Sequence, residues 1–131
     1  MENNRSATFP KNERLSWKRH LDLLFQKGLS FVVYPLRIIY LPVDKGVSEP
    51  AVSMVVSVSK KKIKHAVDRN YIKRRIRESY RLQKCDLIHS FSEKNKQLLL
   101  AFIYMDKEKS SFKDIERTMT KAMQTIRKKT E

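Results

Sequence analysis

A chain of 131 residues carrying 29 Lys and Arg against 14 Asp and Glu has a formal charge of +15, with 40% of its residues hydrophobic. That length supports one domain, and the apolar content excludes a wholly disordered basic tail. The longest apolar run, Leu98–Met105, falls well short of the roughly 20 residues a membrane helix needs, which excludes a spanning helix.

Residues 1–10 are polar, end in Pro10 and read as a flexible arm; residues 11–131 read as a single domain. Met1-Glu2-Asn3-Asn4-Arg5 lacks the apolar stretch of a secretory signal. Ser16 is placed to cap a helix whose apolar positions are Trp17, Leu21, Leu24 and Phe25, with Gly28 as its stop. Phe31–Tyr34 and Leu36–Leu41 read as strand, and Pro35 between them suggests an edge or a bulge. Asp44-Lys45-Gly46 is turn chemistry. In the next strand Val52, Met54, Val56 and Val58 face one way, while Ala51, Ser53, Val55 and Ser57 face the other. A basic helix is predicted over Ala66–Lys84 and a strand over Leu98–Met105. Ser110 or Ser111 then caps a last helix that buries Phe112, Ile115, Met119, Ala122, Met123 and Ile126. The order αβββαβα predicts an α+β sandwich with helices packed on one sheet.

Such an excess of positive charge repels itself in a compact state, which points to a polyanionic partner. Nucleic acid leads, ahead of an anionic membrane surface or an acidic protein. The charge is concentrated: Lys60–Lys84 alone holds a net +9. On a helical wheel Ile72, Ile76, Ser79, Tyr80 and Gln83 form a stripe to be buried. Beside it lie Arg69, Asn70, Lys73, Arg74, Arg77 and Arg81 with no acid among them, while Asp68, Tyr71, Arg75, Glu78 and Leu82 occupy the remaining side. A merely solvated helix would interleave acids at four-residue spacing and gain from the pairing. Here Arg69/Lys73, Lys73/Arg77 and Arg77/Arg81 repel instead, a cost that a phosphate backbone would reverse. Arginine binds phosphate in a bidentate fork, and Asn70 can both donate and accept. RNA and DNA both fit this spacing.

Catalytic chemistry of the polypeptide itself is not visible. Asp22, Asp44, Asp86, Asp106 and Asp114 are scattered, and His20, His65 and His89 read as surface residues or neighbours of RNA. Cys85 and His89 are only two potential ligands, too few for a zinc site. The single cysteine suits a reducing compartment, hence the cytoplasm. With Gly28 and Gly46 as its only glycines, the chain has neither a P-loop nor a dinucleotide fingerprint. A basic helix without Trp or Phe also argues against a membrane-surface role.

The segment from Ser57 to Glu78 resembles the signature of the bacterial ribonuclease P protein subunit, through Ser59-Lys60-Lys61, Arg69-Asn70, Lys73-Arg74 and Arg77-Glu78. Arg14-Leu15 before a helix closing on Leu24-Phe25 and Gly28 fits the same pattern, and the resemblance spans about residues 10–128. It departs at Tyr71, where the family carries a second motif arginine, and at Leu21, where an aromatic is common. Lys64-His65 stands where many relatives have glycine. The resemblance implies a fold like the second domain of a small-subunit ribosomal protein, with a left-handed βαβ crossover against the usual right-handed rule.

It further implies a subunit without catalytic or metal-binding residues of its own. Such a subunit is monomeric in a 1:1 complex with a catalytic RNA that matures the 5′ end of precursor tRNA. Magnesium ions would be held mainly by that RNA and its substrate. Arg14, Lys60, Lys61 and the six helix residues Arg69, Asn70, Lys73, Arg74, Arg77 and Arg81 would contact RNA. The 5′ leader would lie in a cleft between the sheet and the first helix, with Phe25, Phe31, Tyr34, Ser53 and Ser57 as the lining set; Phe25 and Phe31 fit ordinary core equally well. The alternative is a ribosomal or architectural RNA-binding protein without enzymatic role.

Overall fold

A computed structural model describes residues 18–44 and 50–130. Ser16, Trp17, the turn at Lys45-Gly46, Arg14 and the arm over residues 1–10 lie outside them. The elements run α1 (Lys18–Lys27), β1 (Leu29–Val33), β2 (Leu36–Asp44), β3 (Val52–Val58), α2 (Ala66–Gln83), α3 (Cys85–Lys94), β4 (Lys96–Tyr104) and α4 (Phe112–Lys129). The strands form one sheet in the order β1-β2-β4-β3. β1/β2 and β2/β4 pair antiparallel, whereas β3 and β4 pair parallel. A parallel pair needs a crossover, and α2 with α3 supplies it.

Alternation along the strands sorts the apolar residues into two cores. Val52, Met54, Val56 and Val58 of β3 join Leu98, Leu100, Phe102 and Tyr104 of β4 on one face. Over that face pack Ile72, Ile76 and Tyr80 of α2, Leu87 and Phe91 of α3, and Ile115, Met119, Ala122, Met123 and Ile126 of α4. On the opposite face Ile39, Leu99 and Ala101 form a smaller core closed by Leu24 of α1. Ser111 caps α4 by accepting a bond from the Asp114 amide at 3.2 Å. Ser110 turns instead to the buried Tyr104, whose hydroxyl donates to the Glu108 carbonyl and fixes the loop before α4.

Three expectations need correction. The order is αβββααβα, because α3 follows α2 after the single residue Lys84, whose φ −81 and ψ −14 are still helical. Leu87, Ile88 and Phe91 were the signal for it, and Asn95 ends it in the left-handed conformation. Pro35 marks no bulge: with Tyr34, through a cis bond, it makes the turn of the β1–β2 hairpin, whose β1 is the edge strand as expected. Gln83 is half-buried, while Ile72, Ile76, Ser79 and Tyr80 are buried as the wheel predicts.

Gly28 does stop α1, and the reason is space. A Cβ there would sit 2.4 Å from the Leu24 carbonyl and 2.6 Å from Ile39 Cγ2. Gly28→Ala is expected to lift α1 off the sheet and cost about 1–3 kcal/mol in urea unfolding, as overpacked sites do. An alanine variant as stable as the parent would show that this close approach does not hold α1.

Candidate nucleic-acid interface

α2 has three sides: one is buried, and a second packs in part on α4, with its Leu82 54% exposed. Ile72, Ile76 and Tyr80 point into the sheet core, and Arg75 reaches α4, its guanidinium 5.6 Å from the Phe112 ring. The third side carries Arg69, Asn70, Lys73, Arg74, Arg77 and Arg81. Asn70 and Arg74 are exposed, and Arg69, Lys73, Arg77 and Arg81 are half-buried with none of them in the core. The structure therefore leaves toward solvent the face that the wheel marked as basic. Just before it, Lys60, Lys61, Lys62 and Lys64 are exposed on the turn that links β3 to α2.

This turn is tightly built. The Ile63 amide donates to the Ser59 carbonyl at 3.0 Å, the Lys62 amide donates to Ser59 Oγ at 3.2 Å, and the Ile63 side chain is buried. Arg69 Nη1 donates to the carbonyls of Ile63 and Lys64 at 3.0 and 2.9 Å. At the other end of the face Glu78 reaches across the wheel to Arg81, taking Nε at 3.1 Å and Nη2 at 2.6 Å. The hydrogen bond from Arg81 holds the Glu78 carboxyl below the usual carboxylate range and raises the guanidinium in turn. A depressed carboxylate adds stability that is present above its unfolded pKa and lost as pH falls through its folded one. With the Glu78 side chain 39% exposed, that contribution is heavily screened. One arginine of the stripe is thus neutralised locally.

Tyr71 packs rather than presenting a charge. Arg75 lies 5.2 Å from its ring centroid and Lys109 Nζ 5.0 Å from it, while Lys109 also pairs with Asp68 at 3.3 Å. Lys84, counted in the basic window, is fully buried between α2 and α3 and adds nothing to the accessible patch.

The five residues expected to line a leader cleft do not come together. Phe25 of α1 is 53% exposed, and Ser57 is exposed on the α1 side of the sheet beside Val55. Ser53 shares that side, but it is buried and its hydroxyl accepts from Gln97 Nε2 at 3.1 Å. Phe31 belongs to the other face, packed on the main core edge-to-face with Tyr40. Tyr34, in the hairpin turn, lines a cavity of about 290 Å³ with Asp114, Arg117 and Lys121 of α4. In their place the strand register sets Val32, Arg37, Ile103 and Ser57 in one row across all four strands on the α1 face. Arg37 and Val32 are exposed there. Neither is legible from residue type, because a proline read as an edge or a bulge sets no register; a two-residue turn at Tyr34-Pro35 fixes the Val32–Arg37 pairing at once.

Among the described residues no group of three or more His, Cys, Asp or Glu side chains is placed to hold a metal ion. No described helix is long and apolar enough to cross a membrane.

Known proteins resemble this chain over most of its length. The family model described as Ribonuclease P matches residues 9–127. The ribonuclease P protein component of Porphyromonas gingivalis is 40% identical over 121 residues, covering 89% of this chain and 86% of the relative. In structure the chain is similar to the RNase P protein of Staphylococcus aureus, with a TM-score of 0.65, 20% identity and coverage of 87% and 94%. The RNase P protein of Thermotoga maritima superposes with a TM-score of 0.63, 21% identity and coverage of 84% and 94%.

Proposed function

The chain belongs to the ribonuclease P protein family, and from that premise we propose that its α2 face and the Lys60–Lys64 turn dock on the ribonuclease P RNA, while its α1 face holds the 5′ leader of precursor tRNA. It is a ribonuclease P protein component, and that role gives it the ribonuclease P RNA as partner. The observation that carries the docking surface is the uncovered side of α2, whose cations are exposed or half-buried where one neighbouring side is buried and the other packs in part on α4. Lys60, Lys61, Lys73, Arg74 and Arg77 supply the phosphate contacts, with Asn70 offering a donor and an acceptor to a base or a 2′-hydroxyl and Arg69 standing among them on the same face. Arg81 contributes less, because Glu78 already occupies its fork. Arg14 belongs to the same set by its place in the family pattern.

For the leader, Phe25 offers an exposed ring on α1, the helix that packs on the sheet face carrying the row Val32–Arg37–Ile103–Ser57, so one base can stack while Arg37 takes a phosphate. Phe31, Tyr34 and Ser53 drop out of this surface on the geometry above. Cleavage chemistry is assigned to the RNA. Magnesium is assigned to the RNA and its substrate on the same family reading. The complex is 1:1 and cytoplasmic on this reading.

Reconstitution tests it. Purified protein added to ribonuclease P RNA and precursor tRNA at low magnesium should stimulate cleavage at the mature 5′ end, with no cleavage when the RNA is omitted. Cleavage by the protein alone, or no stimulation at any ratio, would overturn the assignment.

A further inference from the structure

We infer that Arg69 governs RNA affinity chiefly as a positioning residue, clamping the lysine-rich turn to the first turns of α2, rather than as one more phosphate ligand. The inference rests on reading the α2 face as the RNA surface and deepens it.

The turn carries four exposed lysines, Lys60, Lys61, Lys62 and Lys64, with no acid among them. Their mutual repulsion favours opening the turn, so its closed form needs a restraint. Ser59 closes the first part, and the buried Ile63 side chain anchors the middle. Its exit into α2 has no capping side chain: His65 stands at the N-cap position and makes no side-chain cap bond. Arg69 restrains this exit in a different way, reaching back from inside the helix to donate to carbonyls of the turn. Its single Nη1 nitrogen carries two hydrogens, and the Ile63 and Lys64 carbonyls at 3.0 and 2.9 Å take both.

Two consequences distinguish a clamp from a ligand. First, the part of the guanidinium spent on these carbonyls is not offered to phosphate. Second, this side chain ties the last residues of the turn to the α2 face, so the lysines meet RNA in a fixed arrangement. Lysine at this position would keep the charge, but its chain is one bond shorter and ends in a point cation without the planar fork. A phosphate ligand tolerates that exchange far better than a clamp does.

The test uses the full chain and ribonuclease P RNA. Affinity is measured against salt for the parent, Arg69→Lys and Arg69→Ala, with the amide exchange of Lys62 and Ile63 followed in the free proteins. Both variants should lose roughly tenfold or more in affinity, the scale of lost charged hydrogen bonds. Their salt slope should fall by about 2, where one phosphate contact alone accounts for about 0.7–0.9. The Lys62 and Ile63 amides should exchange faster in both. Replacing Lys60 and Lys61 by alanine should then cost less in the Arg69→Lys background than in the parent, because the turn is already unfixed. If Arg69→Lys binds within about twofold of the parent, with an unchanged slope and unchanged amide exchange, the clamp is overturned and Arg69 is a ligand. A parent protein that fails to bind the RNA would instead overturn the reading of the α2 face, and this is seen before any substitution is made.

Discussion

Replacing Lys73, Arg74 and Arg77 together by alanine is expected to weaken binding to ribonuclease P RNA by about 100- to 500-fold near 0.1 M salt. The size follows from counterion release. Each phosphate contact adds about 0.7–0.9 to the slope of log affinity against log salt, so about five contacts give the parent a slope near −3.5 to −4.5. Losing three leaves roughly −1.4 to −1.8 and removes between two and three decades of affinity at that salt. All three side chains lie on the side of α2 that neither the sheet nor α4 covers, so folding should change little. Arg75→Ala is the contrast. Its guanidinium lies over Tyr71 and Phe112, so its loss should appear in unfolding rather than in the salt slope. A triple variant that retains the parent slope would place the RNA elsewhere.

The largest stability effect is expected at Phe102. It is fully buried on β4, the strand shared by β2 and β3, and its ring lies 6.2 Å from that of Tyr80 on α2. Phe102→Ala should cost about 3–5 kcal/mol in urea unfolding, combining lost burial with the cavity left behind. Domains of this size have total stabilities of about 5–15 kcal/mol, so the variant would sit near the edge of folding. Binding to the RNA should recover part of the loss, about 2.7 kcal/mol at 100 times the dissociation constant, since ligand binds only the folded state. A cost below about 1 kcal/mol would mean that α2 is not held through this contact.

Much of this architecture was legible because burial follows period. Val52, Met54, Val56 and Val58 alternate in the sequence and alternate in burial, and the α4 stripe from Ile115 to Ile126 repeats at helical spacing. The basic face of α2 was legible for the complementary reason: the residues left off the apolar stripe are segregated by charge. What escaped depends on junctions and register. Lys84 continues α2 into α3 with no breaker residue to mark the change, and a lysine at 0% exposure runs against every compositional prior. Ser53 and Ser57 lie four residues apart on one side of β3, yet Ser53 is buried with Gln97 on its hydroxyl and Ser57 is exposed. The leader row needed the Val32–Arg37 pairing, which a turn at Tyr34-Pro35 sets and residue type alone does not. The Arg69 clamp and the Glu78–Arg81 pair are likewise side-chain choices made after the helix forms.

Lysine acylation of the protein, free and bound to ribonuclease P RNA, tests the docking surface most directly. Lys60, Lys61, Lys62, Lys64 and Lys73 should be protected in the complex, while Lys113, Lys121 and Lys128, exposed on α4, should stay reactive. Protection of the α4 lysines with the Lys60–Lys73 set still reactive would contradict docking through α2.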